Sequence, residues 1–136
     1  PHIDYAFLSC SGLEPEQVRE VCDSMLRSGA RAVVATMGGK GAMYADAAGE
    51  MIQPPEWVEP VDTLGAGDSF AAALLTALAP IGKPPKAGME RELLRQALSG
   101  AAHFPAQCCL KKGAFGYGRD ISDERIKRAM ADIIRL

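Results

Sequence analysis

The chain has 136 residues, of which 48% are apolar and 24% charged, and its net charge is −2, as is ordinary for a single globular domain. The small negative charge argues against a nucleic-acid partner, and no apolar run is long enough to cross a bilayer. Because no signal-peptide pattern is present and the four cysteines lack Cys-x-x-Cys spacing, we expect free thiols, a cytoplasmic location and no cysteine-bound metal.

The chain opens on an apolar strand without an initiator methionine. Residues 5–9 have the composition of an interior strand, and residues 13–16 open a helix because proline and acidic residues favour a first turn. Apolar residues at helical spacing then predict one buried face, and the helix is expected to end at Ser28-Gly29. These residues are Val18, Val21, Cys22, Met25 and Leu26.

A second strand, residues 32–36, ends in a glycine-rich turn. Thr36 closes the β-branched run, and Gly38, Gly39 and Gly41 follow it. One interpretation is a tight connection between strands; the other is a backbone able to lie against phosphate or ribose. Lys40 is accordingly an exposed turn residue or a point charge for a phosphate. Residues 43–52 then predict two short strands around a turn at Ala48-Gly49.

The most informative segment is Asp62-Thr63-Leu64-Gly65-Ala66-Gly67-Asp68-Ser69-Phe70. An alanine- and leucine-rich run up to Ala79 predicts a helix that Pro80 stops, so residues 65–67 form its first turn. That turn presents unpaired N–H groups at a partly positive helix end, and two glycines let an anion approach closely. Asp68 is then either a favourable charge at a helix N-terminus or a general base beside a bound phosphate.

The remaining sequence predicts a loop and two helices. Residues 82–88 have loop composition, and residues 89–109 are mostly helical, with Pro105 expected to kink or end the helix. A terminal amphipathic helix follows Ser122. The predicted core stripe of the longer helix is Leu94, Ala97, Leu98, Ala101 and Phe104, and that of the terminal helix is Ile126, Ala129, Met130, Ile133 and Ile134.

Residues 62–68 fill every fixed position of Asp-Thr-x-Gly-Ala-Gly-Asp, and the segment thus resembles the signature of the ribokinase-like (PfkB) family of carbohydrate kinases. The turn that starts at Thr36 is similar to the family's Thr-x-Gly-x-x-Gly. The resemblance covers only the second half of the family pattern. It implies an α/β fold, the C-terminal portion of a three-layer αβα, Rossmann-like sheet, in one unit over residues 1–136.

The resemblance also implies roles for individual residues. Asp68 corresponds to the catalytic base, and the N–H groups of Gly65, Ala66, Gly67 and Asp68 correspond to the anion hole. Thr36, Gly38, Gly39 and Gly41 border the nucleotide. His103 lies near a position that carries a polar nucleotide contact, although an ordinary helix-surface histidine is the alternative. Asp62 and, through carbonyls near a Gly-Ala pair, Gly113 correspond to the cation region.

One departure from the family pattern concerns Asn-x-x-Glu, whose glutamate helps to organise magnesium-bound water. Here the region reads Ser9-Cys10-Ser11-Gly12-Leu13-Glu14. Glu14 is either a substitute or a first-turn helix carboxylate. Fructoselysine kinases, a branch of the family, also lack the motif, and residues 4–7 are loosely similar to them.

The implied activity is transfer of the γ-phosphoryl group of ATP to a sugar hydroxyl, with Mg²⁺ and a monovalent cation such as K⁺ as cofactors. We expect the chain to be a fragment, a truncated product or part of a split protein, without the N-terminal sugar-binding part and lid. Its partners are then a sugar or sugar derivative and either the missing half or a second copy. The alternatives are a nucleotide-binding module without catalysis and a structural or interaction fragment.

Overall fold

The computed structural model describes residues 3–80 and 89–114, which form one mixed sheet with helices on both faces. Four strands lie side by side in chain order: β1 (Ile3–Ser9), β2 (Ala30–Thr36), β3 (Ala42–Asp46) and β4 (Gly49–Gln53). The helices are α1 (Pro15–Arg27), α2 (Ala66–Leu78) and α3 (Met89–Cys109). The predicted α/β class is therefore confirmed for this part of the chain.

Connection length decides which strands run parallel. Helix α1 carries the chain back across the sheet, so β1 and β2 pair in parallel, with Ala6 opposite Val33. The later connections are too short for a crossover, so β3 pairs antiparallel with both β2 and β4. Tyr44 of β3 lies opposite Val34 of β2 and Met51 of β4. A 3₁₀ turn, Gly38–Lys40, joins β2 to β3.

Side chains of β2 and β3 alternate between two cores because successive strand residues point to opposite faces. Helix α1 covers one core and helices α2 and α3 cover the other. The α1 core contains Cys10, Val18, Cys22, Val33, Ala35, Met37, Met43 and Ala45. The opposite core contains Ala32, Val34, Ala42, Tyr44, Phe70, Leu74, Leu78, Leu94, Leu98, Ala101 and Ala102.

The first helix begins where the sequence predicts. Glu14 is its N-cap and Pro15 its first residue, and the Gln17 side chain accepts the Glu14 backbone N–H at 2.9 Å in a capping box. Its predicted apolar face packs against the sheet. The two short strands predicted within residues 43–52 are also confirmed, but the turn between them is Ala47-Ala48, one residue before the predicted Ala48-Gly49.

Two details of α3 qualify the sequence-based prediction. Of the two effects expected of Pro105, an end of the helix is wrong, because α3 continues to Cys109, and a kink stays a prediction. Phe104 is 56% exposed, whereas Ala102 is buried, so the core stripe turns away from Phe104 near the end of the helix. The predicted loop at residues 82–88 and the predicted helix after Ser122 lie outside the described residues. Within residues 3–80 and 89–114, no helix is long and apolar enough to cross a membrane.

A buried ion pair joins the sheet to α3. Asp46, at the end of β3, accepts hydrogen bonds from Arg91 at 2.8 Å, from the Tyr44 hydroxyl at 3.0 Å and from the Ala48 N–H at 2.8 Å. The side chains of Arg91 and Asp46 are only 16% and 5% exposed. Burial, together with the Asp46 carboxylate, raises the pKa of Tyr44, so its phenol remains a donor.

We predict that Asp46→Ala lowers the free energy of unfolding by about 3 kcal/mol, because it leaves a mostly buried guanidinium and a buried phenol without their acceptor. Asp4→Ala is the matched control, since Asp4 pairs with Arg31 at 3.3 Å on the exposed surface. Its loss is expected to cost less than about 1 kcal/mol. Urea denaturation measures both values, and equal effects would contradict the structural importance of the Asp46 network.

Candidate functional site

A groove of about 540 Å³ lies where β1 and β2 end. Its floor includes Ser9 and Thr36, the last residues of these strands, and the first turn of α2 forms one wall. The glycine turn after β2 and the C-terminal half of α3 contribute two further sides. The remaining rim is residues 54–60, which connect β4 to the glycine-rich motif and which we call the proline segment. A groove of this size at the carboxyl ends of parallel strands is typical of ligand sites in α/β proteins.

Thr36 and Gly67 come together at the floor of this groove. An added Cβ at Gly67 would lie 3.6 Å from Thr36 Oγ1, so the end of β2 and the first turn of α2 are neighbours. The Thr36 hydroxyl donates to the Leu8 carbonyl at 3.4 Å, and the Thr36 carbonyl accepts the Cys10 N–H at 2.8 Å. These contacts hold the ends of β1 and β2 beside the helix.

The start of α2 has the geometry of an anion-binding helix end. Gly65 is the N-cap with φ = 82°, a left-handed conformation that glycine adopts at little cost. The first helical hydrogen bond runs from the Ser69 N–H to the Gly65 carbonyl at 2.9 Å, and the Ala66 N–H donates to Thr63 at 3.2 Å. In residues 3–80 and 89–114 the N–H groups of Gly65, Gly67 and Asp68 have no acceptor.

Asp68 is exposed in this first turn, directly after Gly67. Ala66 and Gly67 line the groove itself, and the Asp68 carboxylate makes no hydrogen bond or ion pair within the described part of the chain. The four residues predicted as base and anion hole are consecutive at the start of α2. Ala66 and Gly67 line the groove, whereas Gly65 and Asp68 are not among its lining residues, and the Ala66 N–H is already engaged inside the turn.

The glycine turn serves both packing and access. Gly41 has φ = 92°, and an added Cβ would lie 2.1 Å from the Gln53 carbonyl oxygen, so only glycine fits there. Gly38 and Gly39 also line the groove, and Gly39 has open space beside its Cα. Lys40 Nζ lies 2.8 Å from a carboxylate oxygen of Glu14. Each of these two side chains therefore has a charged partner within the protein, without a phosphate or a metal.

Asp62 and Gly113 are in direct contact. The Asp62 carboxylate accepts the N–H of Leu64 at 2.9 Å and that of Gly113 at 2.8 Å. These two hydrogen bonds hold the pKa of Asp62 below its ordinary value, so the contact persists until the pH falls through that lowered pKa. The Cys109 carbonyl accepts the N–H groups of both Val61 and Asp62. Asp62 thus fastens the motif to the segment after α3.

His103 contacts the groove only indirectly. Its ring is exposed, and Nδ1 lies 3.0 Å from a carboxylate oxygen of Glu56, which lines the groove. His103 itself is not among the lining residues of the described chain. The arrangement joins α3 to the proline segment.

The sequence analysis missed the contribution of the proline segment. Glu56, Trp57 and Val58 line the groove, as do Pro54, Pro55 and Pro60. The available signal was three prolines in a stretch between a strand and the glycine-rich motif, which marks a stiff connection but does not reveal what it faces.

The four cysteines are free thiols, as predicted. Burial raises the pKa of Cys10 and Cys109, and raises that of Cys22 to about 11, so these thiols are protonated at neutral pH. Cys109 lines the groove. Protonated thiols are poor nucleophiles, and nucleophilic thiol chemistry is not expected from Cys10, Cys22 or Cys109.

Comparison with known families gives a match to the pfkB family carbohydrate kinase model over residues 5–114. Among curated proteins, the chain is 38% identical to fructosamine kinase FrlD of Bacillus subtilis over 120 residues, which is 87% of this chain and 38% of that protein. It is 41% identical to fructoselysine 6-kinase of Escherichia coli over 75 residues, 55% of this chain and 28% of that protein. The chain therefore spans less than two fifths of the length of these relatives.

Solved structures give the same result for the fold. Aminoimidazole riboside kinase from Salmonella enterica, complexed with aminoimidazole riboside and an ATP analogue, matches with a TM-score of 0.66 and 28% identity over 82% of this chain and 37% of that chain. Fructokinase from Vibrio cholerae, bound to fructose, ADP and calcium, matches with a TM-score of 0.67 and 26% identity, covering 82% of this chain and 36% of that chain. The chain belongs to the pfkB family of carbohydrate kinases.

Proposed function

We propose that the chain is the nucleotide- and phosphate-binding portion of an ATP-dependent kinase that transfers a γ-phosphoryl group to a sugar hydroxyl. The observation that carries this proposal is the juxtaposition of Gly67 with Thr36 at the floor of the groove, beside N–H groups without an acceptor in the described chain. A helix N-terminus of this kind stabilises negative charge. Family membership supplies the reaction class.

In this reaction the sugar oxygen forms a bond to the γ-phosphorus while the bond from that phosphorus to the bridging oxygen breaks, and ADP leaves. The Asp68 carboxylate accepts the proton of the attacking hydroxyl. The N–H groups of Gly65, Gly67 and Asp68 stabilise the charge on the transferred oxygens, and the Ala66 N–H joins them when it leaves the Thr63 carbonyl. Thr36, Gly38, Gly39 and Gly41 border the nucleotide in the groove.

The residues present suit a magnesium ion that is held mainly by the nucleotide. In residues 3–80 and 89–114 there is no group of three or more His, Cys, Asp or Glu side chains that could hold a metal ion. Mg²⁺ commonly keeps waters and binds substrate phosphates with few protein ligands, and it neutralises charge on the phosphate oxygens when bound. Asp62 and Gly113 are our candidates for a monovalent cation region such as a K⁺ site, and His103 stays a candidate for a nucleotide contact through Glu56.

We further propose that the acceptor is a sugar carrying an amine substituent. Two of the most similar curated relatives are named as fructosamine and fructoselysine kinases, and this chain shares with them 38% and 41% identity over the aligned residues. The chain also lacks Asn-x-x-Glu after β1, and its Glu14 pairs with Lys40. Phosphorylation of fructoselysine but not of free ribose would support this substrate class.

A second candidate function is nucleotide binding without catalysis. It is favoured by one observation: the residues that the structure brings together in the groove, Thr36 and Gly67 among them, are those proposed to hold the nucleotide and its phosphates. Calorimetric binding of ATP with no phosphorylated product, tested with and without the remaining part of the kinase, would select it.

We predict that Asp68→Asn, made in an intact kinase that contains this chain, lowers the turnover number of the sugar kinase reaction about 10²- to 10⁴-fold, because the amide cannot accept the hydroxyl proton. ATP affinity is expected to stay within about threefold, since the backbone N–H groups remain. Coupled-enzyme assays of ADP release measure turnover. Asp23→Asn, an exposed carboxylate on α1, is the control and should have no effect. Unchanged turnover in Asp68→Asn would exclude Asp68 as the base.

We predict opposite effects of Gly67→Ala on stability and on phosphate binding. An added Cβ would lie 3.6 Å from Thr36 Oγ1, an ordinary contact distance. Because alanine loses less conformational entropy than glycine when a helix forms, the free energy of unfolding should rise by about 0.5–1 kcal/mol. The same methyl group occupies space needed by the phosphate, and ATP affinity should fall about tenfold or more.

Gly100→Ala in α3 is the matched control for Gly67→Ala. Its Cβ would have nothing within 4 Å, so it should raise stability by a similar amount and leave ATP affinity unchanged. Thermal denaturation and calorimetry give the two readouts. Equal ATP affinity in both variants would contradict close approach of a phosphate at Gly67.

A further inference from the structure

Trp57 is the most exposed large apolar residue in the described part of the chain. Its exposed fraction is 75%, and it nonetheless lines the groove. It is also the only tryptophan of the 136 residues. An indole that stands open beside a ligand groove offers a flat stacking surface for an aromatic ligand.

The chain around Trp57 is held in place at several points. The Gln53 carbonyl lies against Gly41, where no side chain fits, and at the other end the N–H of Val61 donates to Cys109 at 2.8 Å. Glu56, the neighbour of Trp57, lies 3.0 Å from His103 on α3. Three prolines restrict the backbone between these points. Trp57 is therefore presented by a constrained segment, which lowers the entropy cost of stacking.

The groove is lined by small or flat apolar side chains as well as by polar ones. Those from α3 include Ala102, Pro105 and Ala106. The two polar side chains of this rim already have partners, because Gln53 Nε2 donates to the Pro54 carbonyl at 2.9 Å and Glu56 contacts His103. The Glu56 carboxylate and the Gln53 amide nitrogen are thus engaged within the protein, while Gln53 Oε1 has no partner in the described chain, and the apolar lining residues offer area for stacking.

We propose that Trp57 stacks on the base of a purine nucleotide whose phosphates lie at the start of α2, and that stacking area, not hydrogen bonding to the base edge, selects the nucleotide. This inference rests on the proposed function, since it needs a nucleotide in the groove. Every base has an aromatic face, so stacking discriminates mainly by ring area. ATP and GTP should therefore bind with similar affinity, and CTP more weakly.

The test measures dissociation constants of Mg²⁺ complexes of ATP, GTP, CTP and inorganic tripolyphosphate by calorimetry, for the unaltered chain and for variants. Trp57→Ala should weaken ATP binding at least fivefold and leave the affinity for tripolyphosphate unchanged. Trp57→Phe should keep most of the affinity for ATP. Phe104→Ala is the control, because Phe104 is an exposed aromatic residue that does not line the groove. In the unaltered chain ATP, but not tripolyphosphate, should change Trp57 fluorescence.

The inference is overturned if Trp57→Ala weakens ATP binding less than fivefold, or if it weakens the binding of ATP and of tripolyphosphate equally. It is also overturned if the unaltered chain binds ATP more than tenfold more tightly than GTP. Failure of the proposed function gives a different result. Nucleotide binding that depends on Trp57, without phosphoryl transfer by an intact kinase that contains this chain, would contradict the kinase proposal and uphold the stacking. Absence of binding by ATP and tripolyphosphate alike would overturn both.

Discussion

The contact between the start of α2 and the end of β2 is the constraint on which the candidate site depends. Gly65 turns the chain in a left-handed conformation, and the helix then begins with Gly67 beside Thr36. Ala66 and Gly67 of this helix end line the groove, and the N–H groups of Gly65, Gly67 and Asp68 have no acceptor within the described part of the chain. If a helix end is directed at packed apolar residues, its N–H groups are buried without acceptors, which destabilises the fold. This geometry is therefore stable mainly where water or an anion can reach the N–H groups.

The rest of the structure holds this helix end in place. Phe70, Leu74 and Leu78 anchor α2 in the core that it shares with α3, and Asp62 connects the motif to Gly113 in the segment after α3. The close approach of Gly41 to Gln53 places the proline segment along the rim of the groove. The left-handed conformation of Gly65 and the packing of α2 therefore both position the first turn of α2. Substitutions at Gly41 should damage the fold, whereas those at Gly67 should damage the site.

Much of this arrangement is predictable from the sequence because the signals are local. Helix α2 follows from alanine, leucine and glycine positions, and α1 from Pro15 and an apolar stripe. The contact of Asp62 with the Gly113 N–H, the pairing of Lys40 with Glu14 and the exposure of Trp57 depend on residues brought together by the sheet, which no local pattern encodes. Phe104 fits a helical stripe by spacing but lies beyond the point where α3 leaves the core. Family resemblance adds roles for Asp68 and the glycine turn, which spacing alone leaves open between packing and chemistry.

The central claim is that the amides at the start of α2 bind the transferred phosphate. Two-dimensional ¹⁵N–¹H NMR during a titration with ATP and Mg²⁺ tests it most directly, because hydrogen bonding to a charged oxygen moves an amide proton downfield. We expect the largest downfield shifts at Gly65, Gly67 and Asp68, and none at Gly100, whose position on α3 lies outside the groove lining. Shifts confined to other residues, with these three amides unmoved at saturating ATP, would contradict the account.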